Sequence, residues 1–156
     1  MAVRAEPFAV PEIEPLLAGN ILVAVDGSPG AELAVVHAAA IARLAGGRLT
    51  LLAVVPPPRL PSAAPAIGYD PHAADAGWAD QLRAAAEKAP PDVPVTLKLV
   101  HGRPAREIVR QAEEGCHDLV VVGCEGHGPL HGALCGTSQR VLRRSTVPVL
   151  VVRRPR

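Results

Sequence analysis

The chain has 156 residues, 49% of them apolar and 20% charged, which suffices for one domain with a real core and is too apolar for wholesale disorder. A formal net charge of +1 gives no basic excess to drive sequence-independent binding to nucleic acid or anionic lipid. Aromatic residues make up only 2%, and the rings Phe8, Tyr69 and Trp78 fall outside the periodic segments, so no base-stacking platform is expected.

Residues 1–19 read as an irregular leader, with Glu6, Glu12 and Glu14 among Pro7, Pro11 and Pro15. That stretch lacks the basic start and apolar run of a secretory signal. No apolar run approaches the roughly 20 residues of a membrane-spanning helix, so no membrane partner is expected. Cys116, Cys124 and Cys135 are odd in number and confined to the C-terminal half, which fits a reducing cytoplasm better than a disulfide framework.

The first element is Ile21-Leu22-Val23-Ala24-Val25, a continuous apolar run closed by Asp26-Gly27-Ser28-Pro29-Gly30. Such a run predicts a strand buried on both faces. Ser28 or Asp26 can cap the following helix, Pro29 suits its first turn, and helical spacing over residues 32–44 ends at Gly46-Gly47. A second strand is predicted over 48–55. A long connection rich in Pro, Ala and Gly follows, from Pro56 to about Pro71. An alanine-rich helix is predicted over 72–88, a strand over 94–100 and a helix over 105–114 behind Pro104. Residues 118–123 form a fourth buried strand, and a glycine-rich loop runs from Gly123 to Gly136. A short helix over 137–144 and a fifth strand over 147–152 complete the domain, with Pro148 favouring a sheet edge. Residues 154–156 are a basic tail.

Strand and helix alternate throughout, and parallel strands need such crossovers, which right-handedness places on both faces. The predicted architecture is a doubly wound open parallel α/β sheet spanning residues 20–153. Ligands in such sheets sit beyond the carboxyl ends of strands where the winding reverses. The two richest strand exits are Asp26-Gly27-Ser28 and the loop from Gly123 to Thr137.

That loop carries Gly123-x-x-Gly126, nine further residues, then Gly136-Thr137 directly before a helix. Glycines let a ligand approach the backbone, and free N–H groups at a helix start favour anionic groups such as phosphate. Thr137 and Ser138 can add hydroxyl donors, and Asp26 can accept from an amine or a ribose. A flexible turn without a ligand is the competing reading.

These blocks resemble the universal stress protein (UspA-like) family, in its ATP-binding branch. The resemblance rests on Ile21-Leu-Val-Ala-Val-Asp26-Gly-Ser28, Leu49-Thr-Leu-Leu-Ala-Val-Val55 and Gly102-x-Pro104 followed by Ile108. It continues through Asp118-Leu-Val-Val-Val-Gly123, the glycine pattern, Ser138-Gln-Arg-Val-Leu142 and Val147-Pro-Val-Leu-Val-Val152. It implies a Rossmann-like nucleotide-binding fold of five strands in the order 3-2-1-4-5. It also implies a homodimer through the last strand, with Val147, Val149 and Val151 at the contact. The implied ligand is ATP or another adenine nucleotide, with Mg as a candidate companion, in a cytosolic sensor or regulator of the stress response. By position, Ala24, Val25, Asp26 and Val54 surround adenine and ribose. Val122, Gly123, Gly126, His127 and Gly128 line ribose and phosphates, and Gly136, Thr137 and Ser138 stand at the phosphate end.

Two features depart from the family pattern. Glu125 stands where members often carry His or Arg. A negative charge about 4 Å from a phosphate oxygen costs about 4 kcal/mol at an effective dielectric of 20, against about 0.3–1 kcal/mol returned by an exposed helix N-terminus. An inward Glu125 therefore opposes a triphosphate, and an outward one does not. The segment after Gly136 is also one residue short. Either Gly136 and Thr137 keep their places, or Cys135 takes the glycine position. A dimeric interaction module with a vestigial pocket is accordingly the alternative function, and a slow ATPase a third.

Cys116, His117, Cys124, His127, His131 and Cys135 match no standard zinc spacing. The Gly-x4-Gly-Lys-[Ser/Thr] pattern is absent, and both lysines, Lys88 and Lys98, lie away from the loop, so efficient hydrolysis is not expected. Ser28 reads as a helix cap rather than a nucleophile, and Arg103, Arg106 and Arg110 as a solvated helix face.

Overall fold

The computed structural model describes residues 19–57, 71–124 and 136–153. Their elements run β1 (Asn20–Val25), α1 (Pro29–Ala45), β2 (Arg48–Val55), α2 (Pro71–Ala86), β3 (Val95–His101), α3 (Pro104–Glu114), β4 (Leu119–Cys124), α4 (Gly136–Arg144) and β5 (Val149–Arg153). The leader, the middle of the proline-rich connection, most of the glycine-rich loop and the tail lie outside the described residues.

The five strands form one parallel sheet in the order β3-β2-β1-β4-β5, so the winding reverses between β1 and β4 as expected. Successive side chains alternate between its two faces. Ile21, Val23, Val25, Leu49, Leu51, Ala53, Leu119 and Val121 share one core with α1 and α2. Leu22, Leu52, Val54, Val120 and Val122 share the other with Ala105, Ile108 and Ala112 of α3 and Val141 of α4. This is why β1, from Ile21 on, and β4 read as unbroken apolar runs. A sheet covered on both faces needs an apolar residue at every position.

Ser28 caps α1, its Oγ accepting from the Ala31 amide at 3.2 Å, and Pro29 stands in the first turn. Ala34, Ala38 and Ala42 recur every four residues and are fully buried. That stripe of small side chains lets α1 lie close to the sheet. The helix ends at Gly46 in the left-handed conformation.

The remaining differences from the sequence reading are local. The first helix starts at Pro29 behind the Ser28 cap, as those two residues predicted, and so begins ahead of the periodic spacing counted from Glu32. Trp78, counted outside the periodic segments although inside the helix predicted over 72–88, lies within α2 and packs on the α1–α2 core. Val147 falls before β5 rather than inside it. With Val149 and Val151 it is half-buried against the α3–α4 core, while Leu150 is the exposed large apolar side chain of that edge strand.

Candidate functional site

The site begins with a gap in the sheet. β1 stays paired with β2 through Val25, which stands opposite Ala53. Its ladder with β4 runs only from Ile21 opposite Leu119 to Val23 opposite Val121. Past Val23 and Val121 the two strands part, and the space between their carboxyl ends opens as a cleft. This is where a doubly wound sheet places its ligand.

The cleft has a volume of about 250 Å3. Its walls include Ala24, Val25, Asp26, Val54, Val122, Gly123 and Thr137, all singled out from the sequence. Gly136 and Ser138 are described but do not line it, and Gly126, His127 and Gly128 lie outside the described residues, as does Glu125. Six wall residues were missed: Ala31, Leu52, Pro56, Trp78, Pro104 and Ile108. Ala31 and Pro104 open the helices that follow β1 and β3. Every helix that follows a strand in a parallel sheet starts at the carboxyl edge, so these two were within reach of the topology. Trp78 stands in the middle of α2, and only the lie of that helix over β2 and β3 brings its indole to the cleft.

Asp26 leaves β1 into the turn. Its Oδ1 accepts from the Ser28 amide at 3.0 Å, which fixes the carboxylate at the cleft mouth and leaves Oδ2 for a donor. Gly27 adopts a φ of 74°, a left-handed conformation that favours glycine in this turn. Among the described lining residues Asp26 is the one acidic group, and no lysine or arginine accompanies it. Thr137, in the first turn of α4, offers the second polar side chain.

Gly123 and Ser138 also make packing contacts. A Cβ on Gly123 would overlap the carbonyl carbon and oxygen of Gly30 and approach the Ala31 amide to 2.5 Å. β4 therefore meets the first turn of α1 backbone against backbone. Ser138 is buried, and its Oγ donates to the Gly123 carbonyl at 2.8 Å, tying α4 to the end of β4.

Elsewhere, Cys116 and His117 precede β4 and the buried Cys124 ends it, so these potential ligands stand at opposite ends of one strand. Among the described residues no three His, Cys, Asp or Glu side chains gather as a metal site. Arg103, Arg106 and Arg110 are exposed, and Arg110 pairs with Glu107 at 2.6 Å and Glu114 at 2.9 Å.

A five-stranded doubly wound sheet with a cleft at its switch point defines a Rossmann-like α/β domain. The universal stress protein family model matches residues 18–153, and the chain belongs to that family. It is 37% identical over 142 residues to the universal stress protein Rv2005c of Mycobacterium tuberculosis, covering 85% of this chain and 45% of that protein. The chain thus spans less than half the length of the curated relatives it matches most fully. Among solved structures, a universal stress protein in complex with cAMP superposes with a TM-score of 0.65 at 27% identity, over 87% of this chain and 97% of the other. A family member from Burkholderia pseudomallei gives 0.66 at 27% identity, over 87% and 96%.

Proposed function

We propose that the cleft between the β1 and β4 exits binds an adenine nucleotide and that the protein acts as a nucleotide-responsive regulator rather than an enzyme. The observation that carries this reading is the gathering of Ala24, Val25, Asp26, Val54, Val122, Gly123 and Thr137 around one cavity. These residue types suit a nucleoside. Apolar side chains accept the faces of the base, and the free oxygen of Asp26 accepts from a ribose hydroxyl. The cAMP complex of a 27% identical family member supports the ligand class.

The phosphates of ATP, with Mg as companion, extend toward the Gly126-His127-Gly128 segment and the start of α4. The dimer forms along the free edge of β5, where Leu150 is exposed, and the protein works in the cytoplasm. Binding changes a surface read by a partner protein.

Denaturing freshly purified protein and identifying the released nucleotide by chromatography and mass tests the reading. Adenine nucleotide near one equivalent per chain is the expected result. An empty extract followed by a flat calorimetric titration with Mg-ATP and with AMP overturns it. One observation favours a second reading, an interaction module with a vestigial pocket. The described walls hold a carboxylate and no cation to offset the charge of a triphosphate. Under that reading Glu125→Arg gains ATP affinity from none.

A further inference from the structure

The walls of the cleft are not chemically uniform. Toward β1 and β4 they carry Asp26, Gly123 and Thr137, with carboxylate, backbone and hydroxyl groups. Toward β2 they carry Leu52, Val54 and Pro56, all apolar, and Trp78 of α2 lines the same cleft. The helix that bears Trp78 packs on β2 and β3, on the opposite face of the sheet from α3. Trp78 thus reaches the cleft from the α1–α2 layer, while Ile108 and Pro104 reach it from α3. Trp78 is half-buried and packs against the α1–α2 core while also lining the cavity.

Building on the nucleotide reading, we infer that Trp78 is a base-contacting residue, its indole forming the α2-side wall against which the base of the nucleotide packs, while the sugar lies toward Asp26. A nucleotide placed the other way would bring its sugar hydroxyls against the apolar Leu52, Val54 and Pro56, where they find no side-chain partner. Each unpaired polar group in such a site costs about 1–3 kcal/mol, so the polarity of the walls fixes the orientation. An indole ring also fits a base better than an aliphatic side chain does. Ring-on-base stacking is worth about 5- to 150-fold in affinity, and it is tolerant of base identity. Trp78 therefore supplies affinity and orientation, and base choice belongs to other groups. A platform of several rings is not needed, because one enclosed base requires one stacking partner.

The chain contains a single tryptophan, so its intrinsic fluorescence reports on this wall alone. The full-length protein is titrated with AMP, reading fluorescence and calorimetric heat in parallel, and then with ribose 5-phosphate, which has the sugar and phosphate but no base. Trp78→Phe and Trp78→Leu follow, both chosen to keep the packing on the core. The expected result is a fluorescence change with AMP at the calorimetric midpoint and none with ribose 5-phosphate. AMP affinity should fall slightly in the Phe variant and about 5- to 150-fold in the Leu variant. Heat with AMP but an unmoved fluorescence, or an equal response to ribose 5-phosphate, overturns the role of Trp78 and leaves nucleotide binding standing. Neither heat nor fluorescence change with AMP overturns both.

Discussion

Replacing Gly123 by alanine separates two reasons for a glycine at the end of β4. If the residue is there for a ligand, the variant folds normally and loses affinity. The structure argues for packing. The added methyl would overlap the Gly30 carbonyl and stand 2.5 Å from the Ala31 amide, and both obstacles are backbone atoms that no rotamer change can clear. Either β4 or the start of α1 must move. Any lift of α1 opens the seam of Ala34, Ala38 and Ala42, which have no exposed surface and no longer side chain with which to refill it. Overpacking of this kind costs about 1–3 kcal/mol. In a domain of this size each kcal/mol is worth about 2–4 °C, so the midpoint should fall by about 2–12 °C. Gly136→Ala is the internal control, since a Cβ there meets nothing within 4 Å. Thermal and urea unfolding followed by circular dichroism measures both. A Gly123→Ala protein as stable as the parent but unable to bind AMP refutes the packing argument, and so does a Gly136→Ala protein that is the less stable of the two.

Three further outcomes follow from the same geometry. Ser28→Ala removes the acceptor of the Ala31 amide and should cost about 0.5–2 kcal/mol in urea unfolding, whereas a nucleophilic role would leave stability untouched. Ser138→Ala removes the hydrogen bond to the Gly123 carbonyl and should lower stability by about 0.5–1.5 kcal/mol. Unchanged stability with lost AMP affinity would return Ser138 to the phosphate end. His117 gives a pH signature. Both ring nitrogens are shielded from solvent without a well-formed hydrogen bond, and so is Gln111 Oε1. Burial, with Lys98 adding to it, holds the imidazole below its ordinary value of 6.5, against a partial offset from the Ala112 and Gln111 carbonyls and from Asp118. The unfolded chain therefore takes up a proton first, so the contribution of His117 is complete above pH 6.5 and is lost as the pH falls below it. Partial solvent screening keeps the slope under the one-proton limit of about 1.4 kcal/mol per pH unit. His117→Gln should flatten the stability profile below pH 6.5, and an unaltered profile would show that the ring titrates freely.

The fold was legible because its signals are local and redundant. A strand covered on both faces must be apolar throughout, so Ile21 to Val25, the run through Val55 and the run through Gly123 announced a parallel sheet before any pairing was known. Ser28, Pro29 and Gly46 punctuate α1 through chemistry that acts within a few residues. The strand exits that bear Asp26 and Gly123 could be named for the same reason, since strand ends and turn residues are neighbours in the chain. Their adjacency came only with the strand order, which the sequence reached through family resemblance.

Tertiary structure decided which contacts each chosen residue makes. Gly123 and Ser138 were chosen as ligand groups because a glycine and a hydroxyl beside a helix start suit phosphate. Their roles in holding β4 to α1 and α4 depend on contacts with residues far off in the chain. Trp78 was passed over in turn, because a lone ring in an alanine-rich helix carries no periodic signal. Its place in the cleft depends on how α2 lies across β2 and β3. Sequence determines which segments can be strands and where they must end. Which side chains meet across the carboxyl edge is set by the packing of layers, and no local pattern encodes a distance between layers.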